Sequence, residues 1–350
     1  MERKRKVLHL LQSDRFSGAE NVVCQIVAMF RDVPDMEMVY CSRDGQIREA
    51  LSERNVPFVP IRDLTVSEVK RVIREQQPDI IHAHDMRASF VAALCCGKIP
   101  LVSHVHSNNV DSRGLSVKAI AYLLAARKAK HIFWVSRSTY NGYTFRKWFQ
   151  NKSSVLYNII DIDALYQRMD TDSEVYPYDV LYLGRLTAQK NPKRLMHVLK
   201  NVVQKLPDVK IGIAGTGELE EETKTLCNAL NLQNNVTFLG FQSNPLKMLK
   251  DSKVMIMTSL WEGTPMCALE AMALGVPIVS TPTDGLKDLI KDGRTGFLSE
   301  DDAVLAEKIV LVVQNESVRK SLSDQSTEVI CSRMNKEVYT AKLMEQYSAC

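Results

Sequence analysis

The sequence lacks any long hydrophobic run. Its 350 residues have a mean hydropathy of −0.15, and no stretch approaches the roughly 20 consecutive apolar residues that a membrane-spanning helix requires. The apolar segment nearest the N-terminus, Val7–Leu11, is too short and too polar for the hydrophobic region of a signal peptide. We therefore expect a cytoplasmic protein.

The eight cysteines follow no metal-binding or disulfide pattern. No pair has the Cys-x-x-Cys spacing, and most lie in apolar stretches, where cysteine behaves as a small buried hydrophobic residue. This argues against a disulfide framework and against a zinc site. The composition, 45% hydrophobic and 25% charged, is ordinary for a folded globular protein, and the length leaves room for two domains.

Carboxylates are missing from one long window. Between Ser112 and Ile160 there is no Asp or Glu, whereas nine lysine and arginine residues and nine aromatic residues lie there. Basic residues mixed with aromatics are typical of a surface for an anionic partner, and we favour an anionic membrane surface over nucleic acid. The alternative is that the aromatics belong to the hydrophobic core and the cations to a solvated face.

Short apolar strands alternate with helices along the chain. The strand candidates are Val7–Leu11, Met38–Cys41, Val56–Val59, Ile80–His84, Leu101–His104, His131–Val135, Val155–Tyr157, Val180–Gly184, Val209–Ala214, Val236–Leu239, Val254–Met257 and Pro277–Ser280. The helix candidates between them include Ala19–Phe30, Val66–Gln76, Leu115–Lys128, Pro192–Lys205 and Glu218–Leu230. This alternation predicts parallel sheets covered by helices on both faces.

We therefore expect an α/β protein with two doubly wound, Rossmann-like domains that face an interdomain cleft. The first domain is predicted at 1–165 and the second at 166–333, with a C-terminal helix at 334–350 that could pack back on the first domain. The polar stretch 161–177 is interpreted as the linker.

The stretch Trp261–Ser280 is predicted to form a loop, a short helix that Thr264-Pro265 introduces, and a buried strand. It carries two carboxylates, Glu262 in the loop and Glu270 in the helix. Amides at a helix N-terminus attract an anion, and ionised carboxylates accept hydrogen bonds from hydroxyl groups. The pattern suits a ligand with phosphate and several hydroxyls. The alternative is a solvated loop residue and a glutamate that favours the helix dipole.

Three more loops directly follow predicted strands. Arg185 and Lys190 could converge on one anion. The guanidinium of Arg185 could donate two parallel hydrogen bonds, and the ammonium of Lys190 would act as a point charge. Gly18 and Gly215 stand in turns where the missing side chain lets backbone approach a ligand. Because ligands of doubly wound sheets bind outside the carboxyl ends of the strands, these loops predict one site.

Four histidines close two neighbouring predicted strands, namely His82, His84, His104 and His106. A metal site is one interpretation, but no supporting carboxylates are evident in the pattern, and we expect neutral rings that hydrogen-bond to hydroxyl groups. Asp161-Ile162-Asp163 has the form of a metal-nucleotide signature. It follows no nucleotide-binding unit, so we treat it as incidental.

Together these motifs resemble the retaining glycosyltransferases of family 4, of the bacterial capsule and exopolysaccharide type, which have the two-domain GT-B architecture. Glu262-Gly263-Thr264-Pro265 followed by Leu269–Ala273 matches the E-x7-E region of that family, and Gly184-Arg185-Leu186 with Lys190-Asn191 matches a second signature. The sequence departs from the pattern at Thr281–Gly285, where a pair of glycines is usual.

The resemblance implies a role for each motif residue. Arg185 and Lys190 would hold the diphosphate of a nucleotide sugar, and Glu270 would accept hydrogen bonds from its ribose. His106 would lie near the reacting centre. The other implied contacts are Gly18, Gly215, Phe241 at the base, and Glu262 with the amides of Gly263, Thr264, Pro265 and Met266 at the transferred sugar. The catalytic candidates are therefore His106, Glu262, Arg185 and Lys190.

The implied reaction moves a hexosyl or N-acetylhexosaminyl group from a nucleotide diphosphate sugar, expected to be a UDP-sugar, to an acceptor hydroxyl with retained configuration. No metal and no separate cofactor are expected. The expected acceptor is a lipid-linked saccharide of cell-surface polysaccharide synthesis, handled at the inner face of the plasma membrane, with no nucleic acid as partner. The alternatives are a small soluble or protein acceptor, a nucleotide-sugar epimerase of the same architecture, and a non-enzymatic polyanion-binding module.

Overall fold

The computed structural model describes residues 3–106 and 114–350, and this part of the chain forms two units. Unit 1 comprises residues up to 159 together with 335–350, and unit 2 comprises residues 160–334. The last helix of the chain therefore belongs to unit 1. The division falls earlier than the boundary that we predict at residue 165.

Unit 1 contains a parallel sheet of seven strands in the order β3-β2-β1-β4-β5-β6-β7. The strands are β1 Arg5–Leu10, β2 Met36–Arg43, β3 Phe58–Ile61, β4 Ile80–His84, β5 Leu101–Val105, β6 His131–Trp134 and β7 Ser153–Val155. The helices between them are α1 Gly18–Met29, α2 Ile47–Glu53, α3 Val66–Gln76, α4 Asp85–Cys95, α5 Val117–Lys128 and α6 Arg137–Gly142. Strands β4 and β5 are buried along their whole length, as expected for a sheet covered on both faces.

Unit 2 contains a parallel sheet of six strands in the order β10-β9-β8-β11-β12-β13. The strands are β8 Val180–Leu183, β9 Ile211–Ala214, β10 Val236–Gly240, β11 Val254–Met257, β12 Ile278–Ser280 and β13 Gly296–Leu298. The helices are α7 Ile162–Met169, α8 Pro192–Lys205, α9 Glu220–Ala229, α10 Leu246–Asp251, α11 Met266–Ala273, α12 Asp284–Leu289, α13 Asp302–Gln314 and α14 Glu316–Arg333, before α15 Lys336–Ser348 of unit 1.

Local capping explains where the best-defined helices begin. The Thr65 side chain accepts a hydrogen bond from the backbone N–H of Glu68 at the start of α3. The Asn191 side chain accepts one from the backbone N–H of Arg194 at the start of α8. Pro192 fills the first turn of α8, where an amide would have no helical partner. Each of these helices has one strongly apolar face, which packs on the sheet of its unit.

The predicted linker at 161–177 is wrong over half of its length, because α7 lies there. Asp161 caps this helix by accepting the amide of Ala164 at 3.2 Å. Leu165 is buried, and the Tyr166 hydroxyl donates to the carbonyl of Ala273 at 3.1 Å. Asp161 thus has a local structural role, which agrees with our interpretation of Asp161-Ile162-Asp163 as incidental.

Most aromatic residues of the carboxylate-free window belong to the core of unit 1. Tyr122, Phe133, Trp134, Tyr143 and Phe149 are buried, and the hydroxyl of Tyr143 donates to a backbone carbonyl at 3.1 Å. The interpretation of these aromatics as a partner-binding surface is therefore wrong. The exposed apolar residues of the window are mainly aliphatic instead. Residues 112 and 113 of this window lie outside the described residues.

Both sheets place a topological switch point between neighbouring strands. In unit 1 the chain direction across the sheet reverses between β1 and β4, and in unit 2 it reverses between β8 and β11. Ligands of doubly wound sheets bind at the carboxyl ends of such strands. Among the described residues, no helix combines the length and the apolar character needed to cross a membrane.

Candidate active site

In unit 2, the loops that follow β8 and β11 are joined to each other at the switch point. The amide of Leu260 donates to the carbonyl of Gln189 at 2.8 Å, and the side-chain amide of Gln189 donates to the carbonyl of Trp261 at 2.9 Å. The Thr258 hydroxyl donates to the carbonyl of Lys190 at 3.1 Å. These bonds fix the register of one loop against the other, so the polar side chains on both have defined positions.

The centre of this junction is an ion pair between Lys190 and Glu262. The ammonium nitrogen lies 2.5 Å from Oε1 of Glu262, which also accepts a hydrogen bond from the Ser259 hydroxyl at 2.7 Å. Glu262 is only 5% exposed. The sequence does not predict this pair, because two residues 72 positions apart meet only through the sheet topology.

The pair fixes the charge state of Lys190. Burial by itself would lower the pKa of this lysine, but the charge and hydrogen bond of Glu262 outweigh burial, so the pKa lies above its ordinary value. The positive charge of Arg185 acts in the opposite sense to Glu262, which places both cations in one neighbourhood. Arg185 itself is exposed at the start of the loop. The site therefore presents one exposed guanidinium beside an internally neutralised lysine.

Two glycines let a second loop lie directly on the first. A Cβ at Gly215 would stand 1.9 Å from the carbonyl oxygen of Gly184, and one at Gly217 would stand 2.2 Å from that of Leu186. Gly215 also has a φ of +141°. These glycines are thus required by backbone packing inside unit 2. The same packing supports the loop that carries Arg185.

The carboxylate loop is held in a similar way from its other side. A Cβ at Gly285 would stand 1.5 Å from the carbonyl oxygen of Gly263, and the Thr281 hydroxyl donates to the carbonyl of Ser259 at 2.7 Å. Gly285 therefore allows the close backbone contact with Gly263, at a position where the family pattern has a pair of glycines. The departure from the family pattern leaves the loop packing intact.

Helix α11 begins one residue later than the sequence suggests. Pro265 is the residue before the helix rather than part of its first turn, and no side chain caps the helix there. Proline has no N–H, so the amides available in this loop are those of Gly263, Thr264 and Met266. Glu270 lies in the second turn of α11 and is 9% exposed. Phe241 is half exposed directly after Gly240, whose φ is +65°.

In unit 1, histidines gather at the carboxyl ends of the central strands. His9 pairs in register with His82 across β1 and β4, and His84 pairs with His104 across β4 and β5. His106 follows β5 and lies 2.9 Å from His84, ring nitrogen to ring nitrogen. The predicted cluster of four histidines is thus assembled, and His9 is a fifth member that our sequence reasoning missed.

Asp85 is a second residue that sequence reasoning missed. It follows β4 directly, has a φ of +66°, and its carboxylate accepts the backbone N–H of His106 at 2.9 Å. A left-handed backbone is unusual for aspartate and is found where surrounding structure holds it in place. The signal in the sequence is Asp85 itself, a charged residue at the end of a wholly buried strand.

The first loop leaves open space beside Gly18. This glycine starts α1 with a φ outside the left-handed region, and a Cβ there would meet nothing within 4 Å. Ser17 donates to the carboxylate of the buried Glu20 at 2.6 Å, which fixes the turn. The fold of unit 1 therefore does not itself require glycine at position 18.

Comparison with known proteins covers both units. The family described as "Glycosyl transferases group 1" matches residues 167–329, and "Glycosyltransferase Family 4" matches residues 16–164. An uncharacterised glycosyltransferase of Methanocaldococcus jannaschii is 30% identical over 316 residues, which cover 73% of this chain and 76% of the relative.

Two further relatives have named activities. The UDP-Gal:alpha-D-GlcNAc-diphosphoundecaprenol alpha-1,3-galactosyltransferase of Escherichia coli is 24% identical over 328 residues, 85% of this chain and 84% of the relative. The N-acetyl-alpha-D-glucosaminyl L-malate synthase of Bacillus anthracis is 25% identical over 305 residues, 82% of this chain and 78% of the relative.

Among solved structures, Anabaena HepE in complex with UDP and glucose superimposes with a TM-score of 0.84 at 21% identity, covering 99% of this chain and all of that one. TarM superimposes with a TM-score of 0.79 at 15% identity, covering 98% of each chain. These likenesses confirm the predicted fold class of two doubly wound α/β domains.

Proposed function

Because this chain belongs to the family 4 glycosyltransferases and has their GT-B fold, we propose that it is a retaining hexosyl- or N-acetylhexosaminyltransferase that uses a nucleotide diphosphate sugar. The observation that carries the proposal is the buried Lys190–Glu262 pair beside Arg185 at the switch point of unit 2. A protein that merely binds polyanions has no need of a buried carboxylate at the centre of its cationic loop.

In the proposed reaction, the bond between the anomeric carbon and the oxygen of the distal phosphate breaks. The acceptor oxygen bonds to the anomeric carbon on the same face, and its proton passes to the departing phosphate. Charge develops on the diphosphate, where Arg185 and Lys190 stabilise it electrostatically. No protein nucleophile and no metal ion are needed for this balance.

The remaining residues are proposed to orient the donor. Glu270 accepts hydrogen bonds from the two ribose hydroxyls, since an ionised carboxylate is an acceptor at both oxygens. Phe241 offers an aromatic surface to the base. Glu262, with the amides of Gly263 and Met266, binds hydroxyls of the transferred sugar. UDP is the proposed nucleotide.

For the acceptor, we favour a lipid-linked saccharide. The named activity of the Escherichia coli relative, which matches along most of the chain, uses a diphosphoundecaprenol-linked sugar. Helix α5 supports handling of such a substrate at a membrane surface. Val117, Ile120 and Leu124 share one face of this helix and are exposed, Val117 to 85%, and Arg127 and Lys128 lie in its last turn. Apolar residues beside cations are what an anionic lipid surface binds.

A small soluble acceptor is the second candidate, because the malate synthase of Bacillus anthracis also matches along most of the chain. Both candidates share the donor site and differ only in what presents the accepting hydroxyl. An epimerase would convert the nucleotide sugar into its isomer and would form no product with an acceptor, so acceptor-dependent transfer separates it from both.

The experiment is a two-way panel. UDP-, GDP- and ADP-linked hexoses and N-acetylhexosamines are each incubated with the protein and either diphosphoundecaprenol-linked N-acetylglucosamine or L-malate, and nucleotide diphosphate release is followed together with product mass. We expect release from one donor class that depends on the lipid-linked acceptor. Transfer to malate would select the second candidate, and the absence of transfer from every donor would contradict the proposed function.

A further inference from the structure

Three of the clustered histidines form a continuous chain of hydrogen bonds. Nδ1 of His9 lies 3.0 Å from Nε2 of His84, and Nδ1 of His84 lies 2.9 Å from Nε2 of His106. At the far end, Nε2 of His9 lies 3.4 Å from the sulfur of Met38. Each contact joins a ring nitrogen of one residue to the next, so the protonation of one ring dictates that of its neighbour.

Burial favours the neutral form of all three rings in this chain. Burial lowers the pKa of His9 to about 3 and lowers the pKa of His84 well below its ordinary value, with the neighbouring histidines acting in the same direction. Burial also lowers the pKa of His106, although the carboxylate of Asp85 acts the other way. A neutral imidazole has one N–H donor and one bare acceptor nitrogen.

The sulfur of Met38 selects the direction of the chain. A thioether can only accept, so Nε2 of His9 carries a proton and Nδ1 of His9 is an acceptor. His84 must then donate from Nε2 to His9, which leaves its Nδ1 to accept from Nε2–H of His106. In the reverse direction, the lone pair on Nε2 of His9 would face those of the Met38 sulfur. Nδ1 of His106 would then carry a buried N–H with no acceptor among the described residues.

We propose that Met38, His9 and His84 are positioning residues that hold His106 in its Nε2–H tautomer, so that Nδ1 of His106 is a bare acceptor for a substrate hydroxyl. This proposal rests on the proposed transfer reaction and assigns residues outside the family motifs to it. Nδ1 of His106 is buried and has no hydrogen-bond partner among the described residues. An acceptor of fixed orientation can bind a sugar hydroxyl without first changing its tautomer.

The backbone of His106 is fixed separately from its ring. Asp85 accepts the backbone N–H of His106, and the ring of His104 lies against that of His106 with 4.1 Å between centroids. Both nitrogens of His104 are buried and lack a hydrogen-bond partner among the described residues. His104 therefore packs beside His106 without being a link in the chain of three, and we assign it no substrate contact, so it is a control for packing alone.

The direct test is ¹⁵N NMR of the full-length protein labelled at histidine, with signals assigned through single substitutions. We expect His106 to show a bare Nδ1 and a protonated Nε2 in the wild-type protein. In His84→Phe we expect a mixture of both tautomers, because the somewhat larger phenyl ring still fills the site but offers no nitrogen. His104→Phe should leave the tautomer of His106 unchanged. Met38→Leu, a conservative change at the end of the chain, serves as a second variant if His84→Phe does not fold.

Turnover provides the functional arm. For the donor and acceptor identified by the panel, His84→Phe should lower kcat at least tenfold with little change in the affinity for nucleotide diphosphate, and His104→Phe should change kcat less than twofold. If kcat fell equally in His84→Phe and His104→Phe, the histidines would serve only to pack the core, and the proposal would be overturned. A protonated Nδ1 in wild-type His106 would also overturn it, as would a stoichiometric metal ion whose removal shifts the histidine signals. The NMR measurement needs no substrate, so its result does not depend on whether the proposed transfer reaction is correct.

Discussion

At the scale of single residues, the Lys190–Glu262 pair connects stability with activity. Each side chain is at most 13% exposed, so removing one leaves the other as an unpaired buried charge. We expect Lys190→Ala to lower the free energy of unfolding by about 3 kcal/mol and to abolish transfer, as followed by chemical denaturation and by release of nucleotide diphosphate.

A double variant separates the two effects. In Lys190→Ala/Glu262→Gln the stranded charge is gone, so much of the stability should return while transfer stays absent. Lys247→Ala is the matched control, because it removes a pair of the same 2.5 Å separation on helix α10 of unit 2, away from these loops. Near-normal turnover of Lys190→Ala would contradict the proposed role in binding the leaving diphosphate.

Glu270 is proposed to accept the ribose hydroxyls, and nucleotide analogues test this directly. Calorimetry should show Glu270→Gln binding UDP at least tenfold more weakly, since a neutral amide offers one acceptor oxygen in place of two charged ones. The wild-type protein should bind UDP more tightly than 2′-deoxy-UDP. Glu270→Gln should lose most of that discrimination. Equal discrimination in both proteins would place the ribose elsewhere.

At the scale of elements, two glycines with opposite surroundings give a paired prediction. Gly18→Ala should leave the free energy of unfolding unchanged or slightly raise it, because the added methyl group meets nothing and alanine favours the helix. Its transfer rate should nevertheless fall at least tenfold if the first loop approaches a phosphate group. Gly285→Ala should lose both stability and transfer, because its methyl group would collide with the carbonyl of Gly263. Full activity in Gly18→Ala would show that the loop around Gly18 does not contact the donor.

Helix α5 gives the prediction for the membrane surface. Val117→Ser/Ile120→Ser should weaken binding to vesicles rich in phosphatidylglycerol roughly tenfold, by loss of buried apolar area. Val175→Ser, at a similarly exposed position of unit 2, should not change it. Co-sedimentation at low and high salt measures both, and cations near the surface predict weaker binding at high salt. Equal binding of all variants would exclude α5 as the contact surface.

How far the sequence predicts these elements depends on local signals. The bounds of Val66–Gln76 and Pro192–Lys205 are those of α3 and α8, because an N-cap residue and an apolar face mark both helices. Helix α7 was missed because it is short and lies in a polar stretch, although Ile162, Leu165 and Met169 have helical spacing. The aromatics around Trp134 were misassigned because composition does not distinguish a core from a surface.

For the candidate site, the sequence predicts which polar residues lie in loops after strand ends better than how they are paired. Arg185, Lys190, Glu262 and Glu270 follow strand ends, and strand ends are readable from apolar runs. That Lys190 bonds to Glu262 depends on β8 and β11 being neighbours, which is a property of the sheet order. The link from His9 to His106 likewise requires β1, β4 and β5 to lie side by side.

At the scale of the whole molecule, the histidines make the two units respond differently to acid. Six of the seven lie in unit 1, where burial lowers the pKa values of His9 to about 3 and His131 to about 4. A histidine whose folded pKa is lowered binds protons mainly in the unfolded state once the pH falls below about 6.5. Stability is therefore lost as the pH falls, by roughly 1.4 kcal/mol per pH unit for each such histidine.

Hydrogen exchange can follow this unit by unit. Between pH 7.5 and 5.5, the opening free energy of amides in β4 and β5 should decrease clearly more than that of amides in β8 and β11. His104→Phe should make the decrease in β4 and β5 smaller by the contribution of one histidine, and so bring the two sheets closer together in their response to pH. An equal loss in both sheets would mean that the buried histidines do not control the acid sensitivity.

The central claim is transfer with retained configuration from a nucleotide diphosphate sugar. It is tested most directly by ¹H NMR of the anomeric proton of the product formed by the wild-type protein from its α-linked donor. We predict a new α-linkage in the presence of the acceptor, with none formed by Lys190→Ala/Glu262→Gln. A β-linked product, or an equal amount of product from the double variant, would contradict the claim.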